Sequence, residues 1–120
     1  MITLQDIHDM VEEYATVSGQ EKDPELSAGL VYEEYIEWED EVFDRSNHNP
    51  EAELKELADL VYVAYGRART MGYQLNRAID RVHENNMGRM KQPDGTIKRR
   101  EDGKIIKNPE YPAVDLGDLV

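Results

Sequence analysis

The sequence contains no cysteine, and only one tryptophan and one phenylalanine. The absence of cysteine excludes disulfide bonds and thiolate metal ligands. No apolar run approaches the ~20 residues that a membrane-spanning helix requires, and no basic segment followed by an apolar stretch marks a signal peptide. These absences predict a cytoplasmic protein without a membrane partner.

Acidic residues outnumber basic ones, and the basic residues are unevenly distributed. The 120 residues include 14 basic and 26 acidic side chains, for a net charge of −12. Such a surface repels duplex nucleic acid, whose affinity for proteins comes largely from Lys and Arg. The segment from Arg89 to Lys107, however, contains seven basic and three acidic residues. It therefore carries a charge of +4, and the rest of the chain carries −16. An acidic body suits cations and a basic tail suits anions, although an acidic surface also simply aids solubility.

Apolar periodicity and end signals predict four helices joined by short connections. Thr3 is a candidate N-cap with Asp6 at the capping-box position, and proline opens the second and third helices. The predicted ranges are 3–16, 24 to about 46, 50–71 and 74–90. We therefore expect a single all-α domain over residues 1–120, a four-helix bundle or part of one that a second subunit completes.

The last thirty residues have a different composition, rich in turn signals such as Asp94-Gly95 and Asp102-Gly103. Residues 96–98 and 104–106 are expected to pair as a short hairpin. The segment 91–120 is therefore predicted to be an irregular, basic tail that acts as a lid.

Two acidic pairs on consecutive predicted helices are the most informative feature. Glu34 and Glu37 lie three residues apart on the second helix, and Glu56 and Asp59 do so on the third. Residues at this spacing share a helix face, so each pair forms a two-carboxylate edge. If the helices are antiparallel neighbours, four carboxylates converge and require a counter-charge. Oxygen ligands favour Mg²⁺ or Mn²⁺, although a single such pair is more often a solvated surface.

The order and spacing of these residues resemble a known family. The pattern Glu34-x-x-Glu37 followed by Glu56-x-x-Asp59 is similar to the E-x-x-E … E-x-x-D signature of MazG-like all-α nucleoside triphosphate pyrophosphohydrolases, which are related to phosphoribosyl-ATP pyrophosphohydrolase and dimeric dUTPases. The third helix resembles the pattern E-L-x-D-x-x-Y-V-x-x-G. Residues 82–90 resemble V-H-x-S-N-M-S-K-L, and residues 102–116 resemble a D-G-K-x-x-K … Y-x-x-P-D-L tail. The resemblance covers roughly residues 28–116.

The resemblance implies a MazG fold and a Mg²⁺-dependent enzyme, with Mn²⁺ as an alternative ion, that splits an NTP or dNTP into a monophosphate and pyrophosphate. Glu34, Glu37, Glu56 and Asp59 are then the catalytic residues and metal ligands. The residues implied to bind substrate are Asn86, Arg89, Lys104, Lys107 and Tyr111. The chain departs from the family pattern at Asn85, which replaces serine, and at Arg89, which replaces lysine. Arginine also binds phosphate, with a planar fork of donors instead of a point charge.

The resemblance allows more than one nucleotide substrate and more than one oligomeric state. Phage-like relatives with this tail include enzymes for purine nucleotides, which favours (d)GTP; dUTP and dCTP are the alternatives. A non-catalytic helical interaction module is the rival from a different class, although the chain keeps all four acidic positions. A homodimer or homotetramer is expected, in the bacterial cytoplasm or, if the gene belongs to a phage, in that of the host.

Overall fold

The computed structural model describes residues 1–44 and 46–120. Its helices are α1 (Leu4–Ser18), α2 (Pro24–Phe43), α3 (Pro50–Met71) and α4 (Leu75–Arg89), followed by strands β1 (Lys98–Arg99) and β2 (Ile105–Ile106) and a 3₁₀ turn (Gly117–Leu119). The predicted all-α class is confirmed. Two compact units are present, Met1–Gln74 and Leu75–Val120. No helix in the described ranges has the length and apolar content needed to cross a bilayer.

Side chains cap the first three helices, and the cap of α1 is the one that the sequence predicts. Thr3 and Asp6 form the predicted capping box, in which each side chain accepts a hydrogen bond from the backbone N–H of the other. Asp23 and Asn49 accept backbone N–H groups at the starts of α2 and α3, each directly before a proline. These caps satisfy donors that the first helical turn leaves unpaired. At the other end, Gly19 closes α1 in the left-handed conformation, with a φ of 69°.

The second helix ends earlier than predicted, at Phe43 instead of about residue 46. The carboxylate of Asp44 accepts hydrogen bonds from the Ser46 hydroxyl and the Asn47 backbone N–H, at 2.9 and 3.2 Å. Aspartate offers the backbone a local turn in this way, which competes with continuation of a helix. Arg45 lies outside the described residues.

The first unit is built around the packing of α2 and α1 on α3. The buried apolar side chains among the described residues of this unit are few: Val11, Ala15, Tyr65 and Ala68. Polar contacts supplement this small core, and Trp38 on α2 donates its indole N–H to Glu53 on α3 at 3.2 Å. The pairing of α2 with α3 is what brings the two acidic helix edges together.

In the second unit, the segment after α4 folds back along that helix. The Asn85 amide donates to the Pro112 carbonyl at 2.9 Å, and the Asn108 N–H donates to the Arg89 carbonyl at 2.8 Å. Arg81 pairs with Asp118 through both terminal nitrogens, with Nη2 2.8 Å from Oδ2. The predicted tail is thus largely irregular in backbone but anchored to α4 at several levels.

The predicted hairpin within this segment is confirmed, with strands shorter than expected. Lys98 lies opposite Ile106 and Arg99 opposite Ile105 in an antiparallel pair. Thr96 does not join the strand, because its N–H and hydroxyl both bond to the Asp94 carboxylate, at 3.0 and 2.6 Å. An aspartate turn therefore holds Thr96, which was predicted to lie in the first strand of the hairpin.

Candidate active site

Three of the four predicted acidic residues converge. Glu34 on α2 and Glu56 and Asp59 on α3 each place one carboxylate oxygen within 4.8 Å of the other two. Glu37, one turn beyond Glu34, is exposed and hydrogen-bonds to the Glu34 carboxyl. It lies beside the group of three without belonging to it. We call the four together the acidic quartet.

Burial and like charge act together on Glu34. Burial, followed by the hydrogen bond and charge of Glu37 and then by the charges of Asp59 and Glu56, raises the pKa of Glu34 from its ordinary value of 4.5 to about 7. Oε2 of Glu34 and Oε2 of Glu56 are buried without a hydrogen-bond partner among the described residues. Buried acceptor oxygens without donors normally need compensation. A hard divalent cation with oxygen ligands would supply it, so the residues fit Mg²⁺ or Mn²⁺.

One basic residue that the sequence analysis missed contacts the quartet. The ammonium of Lys55 lies 2.6 Å from Oδ2 of Asp59 and 3.6 Å from Oε1 of Glu56. The spacing of Lys55 and Asp59, four residues along α3, was the available signal, because such residues are neighbours on a helix surface.

A cavity of about 570 Å³ adjoins the quartet inside the first unit, and Glu34 and Asp59 form part of its wall. Its remaining lining comes from the three helices and the α1–α2 loop and includes Leu30, Val63 and Arg69. Arg69 is held by Glu12, whose carboxylate accepts its Nε–H at 2.7 Å. The volume and the mixture of apolar walls with a few polar groups are typical of small-molecule sites.

The predicted substrate-binding residues all lie in the second unit. Asn86 is exposed on α4, and Arg89 is half-buried in its last turn, with a buried Nε that has no partner among the described residues. Lys104 and Lys107 are exposed on the hairpin and just after it. Tyr111 places its ring against Gly88, where an added Cβ would overlap the ring.

Two of the residues that differ from the family pattern, Asn85 and Arg89, contact each other. Asn85 anchors the returning chain at Pro112, and its carbonyl oxygen accepts a 3.3 Å hydrogen bond from Arg89. An amide can donate and accept in this way at once. The replacement of serine by Asn85 thus serves the packing of the second unit and positions Arg89.

Comparison with known proteins identifies the family of the chain and supports its fold. The model of the phosphoribosyl-ATP pyrophosphohydrolase family matches residues 4–86, more than half of the chain. The chain therefore belongs to this pyrophosphohydrolase family. No curated protein matches it. Among solved structures, it is similar to a cyanophage S-2L MazG-like pyrophosphohydrolase bound to dGDP and three catalytic Mn²⁺ ions per active site. The TM-score is 0.60 at 19% identity, over 92% of this chain and 97% of that one, which supports the MazG-like all-α fold.

Proposed function

We propose that this protein is a Mg²⁺-dependent nucleoside triphosphate pyrophosphohydrolase, which also accepts Mn²⁺ and prefers (d)GTP. The observation that carries the proposal is the convergence of Glu34, Glu56 and Asp59 from two helices. Two buried oxygens of this group have no hydrogen-bond partner in the described ranges of the chain. Such a group is poorly suited to a purely structural role, because it concentrates negative charge beside a cavity. The rival non-catalytic module gives no reason for this arrangement.

The proposed reaction is an in-line displacement at the α-phosphorus. The oxygen of a water molecule bonds to the α-phosphorus, the bond from that phosphorus to the α–β bridging oxygen breaks, and pyrophosphate leaves. The acidic quartet would hold the cation, and one of its carboxylates would accept the proton of the water. The chemistry that a bound Mg²⁺ would supply is positive charge toward the triphosphate and a lower pKa for the attacking water.

The cavity beside the quartet is the proposed place for the sugar and base. Its volume suits a nucleoside, and Arg69 supplies guanidinium donors at its wall. Arginine is the side chain that pairs most often with the O6 and N7 acceptors of guanine. The MazG-like neighbour is bound to dGDP, which also favours a guanine nucleotide.

A panel assay tests this function. Pyrophosphate release is measured with all eight canonical NTPs and dNTPs, dUTP and phosphoribosyl-ATP, each with Mg²⁺, with Mn²⁺ and with EDTA. We expect release that requires a divalent ion and is fastest with dGTP or GTP. If dUTP or dCTP is turned over fastest, the guanine preference is contradicted but the pyrophosphohydrolase activity is not. No turnover of any nucleotide by folded, metal-loaded protein would favour the interaction module.

We further propose that Asn86, Arg89, Lys104, Lys107 and Tyr111 bind the substrate, and Arg89 offers the sharpest test. Arg89→Ala is expected to lower kcat/KM by about 10- to 100-fold, because a charged hydrogen bond to phosphate contributes roughly 1.5–3 kcal/mol. Lys91→Ala is the matched control, since it removes one exposed charge two residues away. Equal steady-state kinetics for both variants and the wild type would remove Arg89 from the substrate site.

A homodimer or homotetramer is proposed from an exposed apolar stripe on α3. Leu54, Leu57 and Val61 share one helix face and are 67%, 38% and 48% exposed. Leu54→Glu is expected to shift the mass measured by light scattering toward the 13.9 kDa of one chain, because a charge in an apolar interface is costly. Val17→Glu, at a position that is 82% exposed on α1, is the control. A monomeric wild type at micromolar concentration would contradict the proposal.

A further inference from the structure

Within the described part of the chain, the ion pairs to the quartet come from Lys55. Its ammonium contacts Asp59 at 2.6 Å and Glu56 at 3.6 Å, while its side chain is 66% exposed. Oε2 of Glu34 and Oε2 of Glu56, both buried, have no hydrogen-bond partner within residues 1–44 and 46–120. One flexible monovalent cation thus compensates part of a charge that a divalent ion would compensate more fully.

The carboxylates that contact the Lys55 ammonium are also proposed ligands of the divalent cation. Asp59 and Glu56 are proposed metal ligands, and a Mg²⁺ or Mn²⁺ ion sits about 2.1 Å from its ligand oxygens. An ammonium at its present distance from Asp59 would then lie beside the divalent ion, where like charges repel. The lysine stem is long and mostly solvated, so the ammonium can leave this position at little cost.

We propose that Lys55 is an intramolecular competitor for the divalent cation. The inference rests on the metal site of the proposed function. Without metal, the ammonium compensates part of the negative charge of Asp59 and Glu56. When the cation binds, Lys55 is displaced, and its charge becomes available to the phosphates of the incoming nucleotide. Lys55 thus weakens the binding of the metal ion and strengthens the binding of the nucleotide.

The first experiment measures Mn²⁺ binding without nucleotide, from the electron paramagnetic resonance signal of the free ion. Lys55→Met is expected to bind Mn²⁺ about three- to tenfold more tightly than the wild type, because it removes both the competing partner and its repulsion. Lys55→Arg keeps the charge and is expected to bind Mn²⁺ much as the wild type does. Lys22→Met is the matched control for loss of one exposed lysine in the same unit.

The second experiment measures binding of a non-hydrolysable α,β-imido dGTP at saturating Mn²⁺. Lys55→Met is expected to bind this analogue about three- to tenfold more weakly, with Lys55→Arg restoring much of the affinity. Thermal melts and circular dichroism establish that each variant is folded.

Unchanged or weaker Mn²⁺ binding by folded Lys55→Met would overturn the competition and leave an ordinary surface ion pair. A wild type that binds no Mn²⁺ would overturn the proposed metal site and this inference with it. Tighter Mn²⁺ binding with unchanged analogue affinity would support competition and overturn the role toward phosphate.

Discussion

Replacing Glu56 with glutamine is expected to reduce pyrophosphate release by at least about a hundredfold in a protein that stays folded. Glutamine has the same shape but is neutral, so it removes a charged oxygen ligand from the group that Glu56 forms with Glu34 and Asp59. Loss of a group that only orients a metal ligand already lowers metal affinity or activity by about 10- to 100-fold. Loss of the metal ligand itself is expected to lower activity further. Stability is expected to hold or rise, because a repulsive cluster loses one charge.

Activity and thermal unfolding are measured on the same preparation of Glu56→Gln. The control is Glu33→Gln, which makes the same chemical change at an exposed position on α2 beside Glu34. The control is expected to keep wild-type turnover. A folded Glu56→Gln variant with wild-type kcat/KM would remove Glu56 from the metal site.

Replacing Glu34 with glutamine is expected to stabilise the metal-free protein by roughly 1–3 kcal/mol at pH 8. The pKa of Glu34 is about 7 in the folded chain and 4.5 ordinarily. Between these values the folded state holds more protons than the unfolded state, so wild-type stability falls as pH rises through this window. Above pH 7 the folded protein bears the full cost of the charge, which neutral glutamine avoids. Below about pH 4.5 both side chains are neutral, and the gain is expected to vanish.

Urea unfolding at pH 5 and pH 8 in the presence of EDTA measures this difference. The gain of Glu34→Gln over the wild type is expected to be clearly larger at pH 8. Glu33→Gln again serves as the control and is expected to show no such pH dependence. An equal gain at both pH values would mean that lost packing or lost hydrogen bonds, and not the charge of Glu34, dominate.

Much of the fold was predictable because its signals are local. The caps at Thr3, Asp23 and Asn49 and the left-handed glycine Gly19 each act within about four residues. The errors were local competitions as well. The Asp44 carboxylate ends α2 early, and Asp94 holds Thr96 in a turn. Apolar periodicity carries no information about such side-chain hydrogen bonds, although they compete with those of a helix or a strand pair.

Local sequence patterns were sufficient to predict the four helices and the two carboxylate edges, because helical geometry places residues three apart on one face. Which of these carboxylates meet depends on helix packing. Packing of α2 on α3 joins Glu34 to Glu56 and Asp59 and leaves Glu37 exposed at the rim. These distances depend on how two helices far apart in the chain approach each other, and no local spacing encodes that approach.

The environment of the site was likewise a tertiary result. The cavity beside Glu34 needs walls from three helices, and the pKa shift of Glu34 needs burial that only packing produces. The return of the last segment onto α4 depends on contacts such as Arg81 with Asp118, 37 residues apart. Residue types and spacing therefore determine which groups the chain offers, whereas the packing of its helices decides which of them share a site.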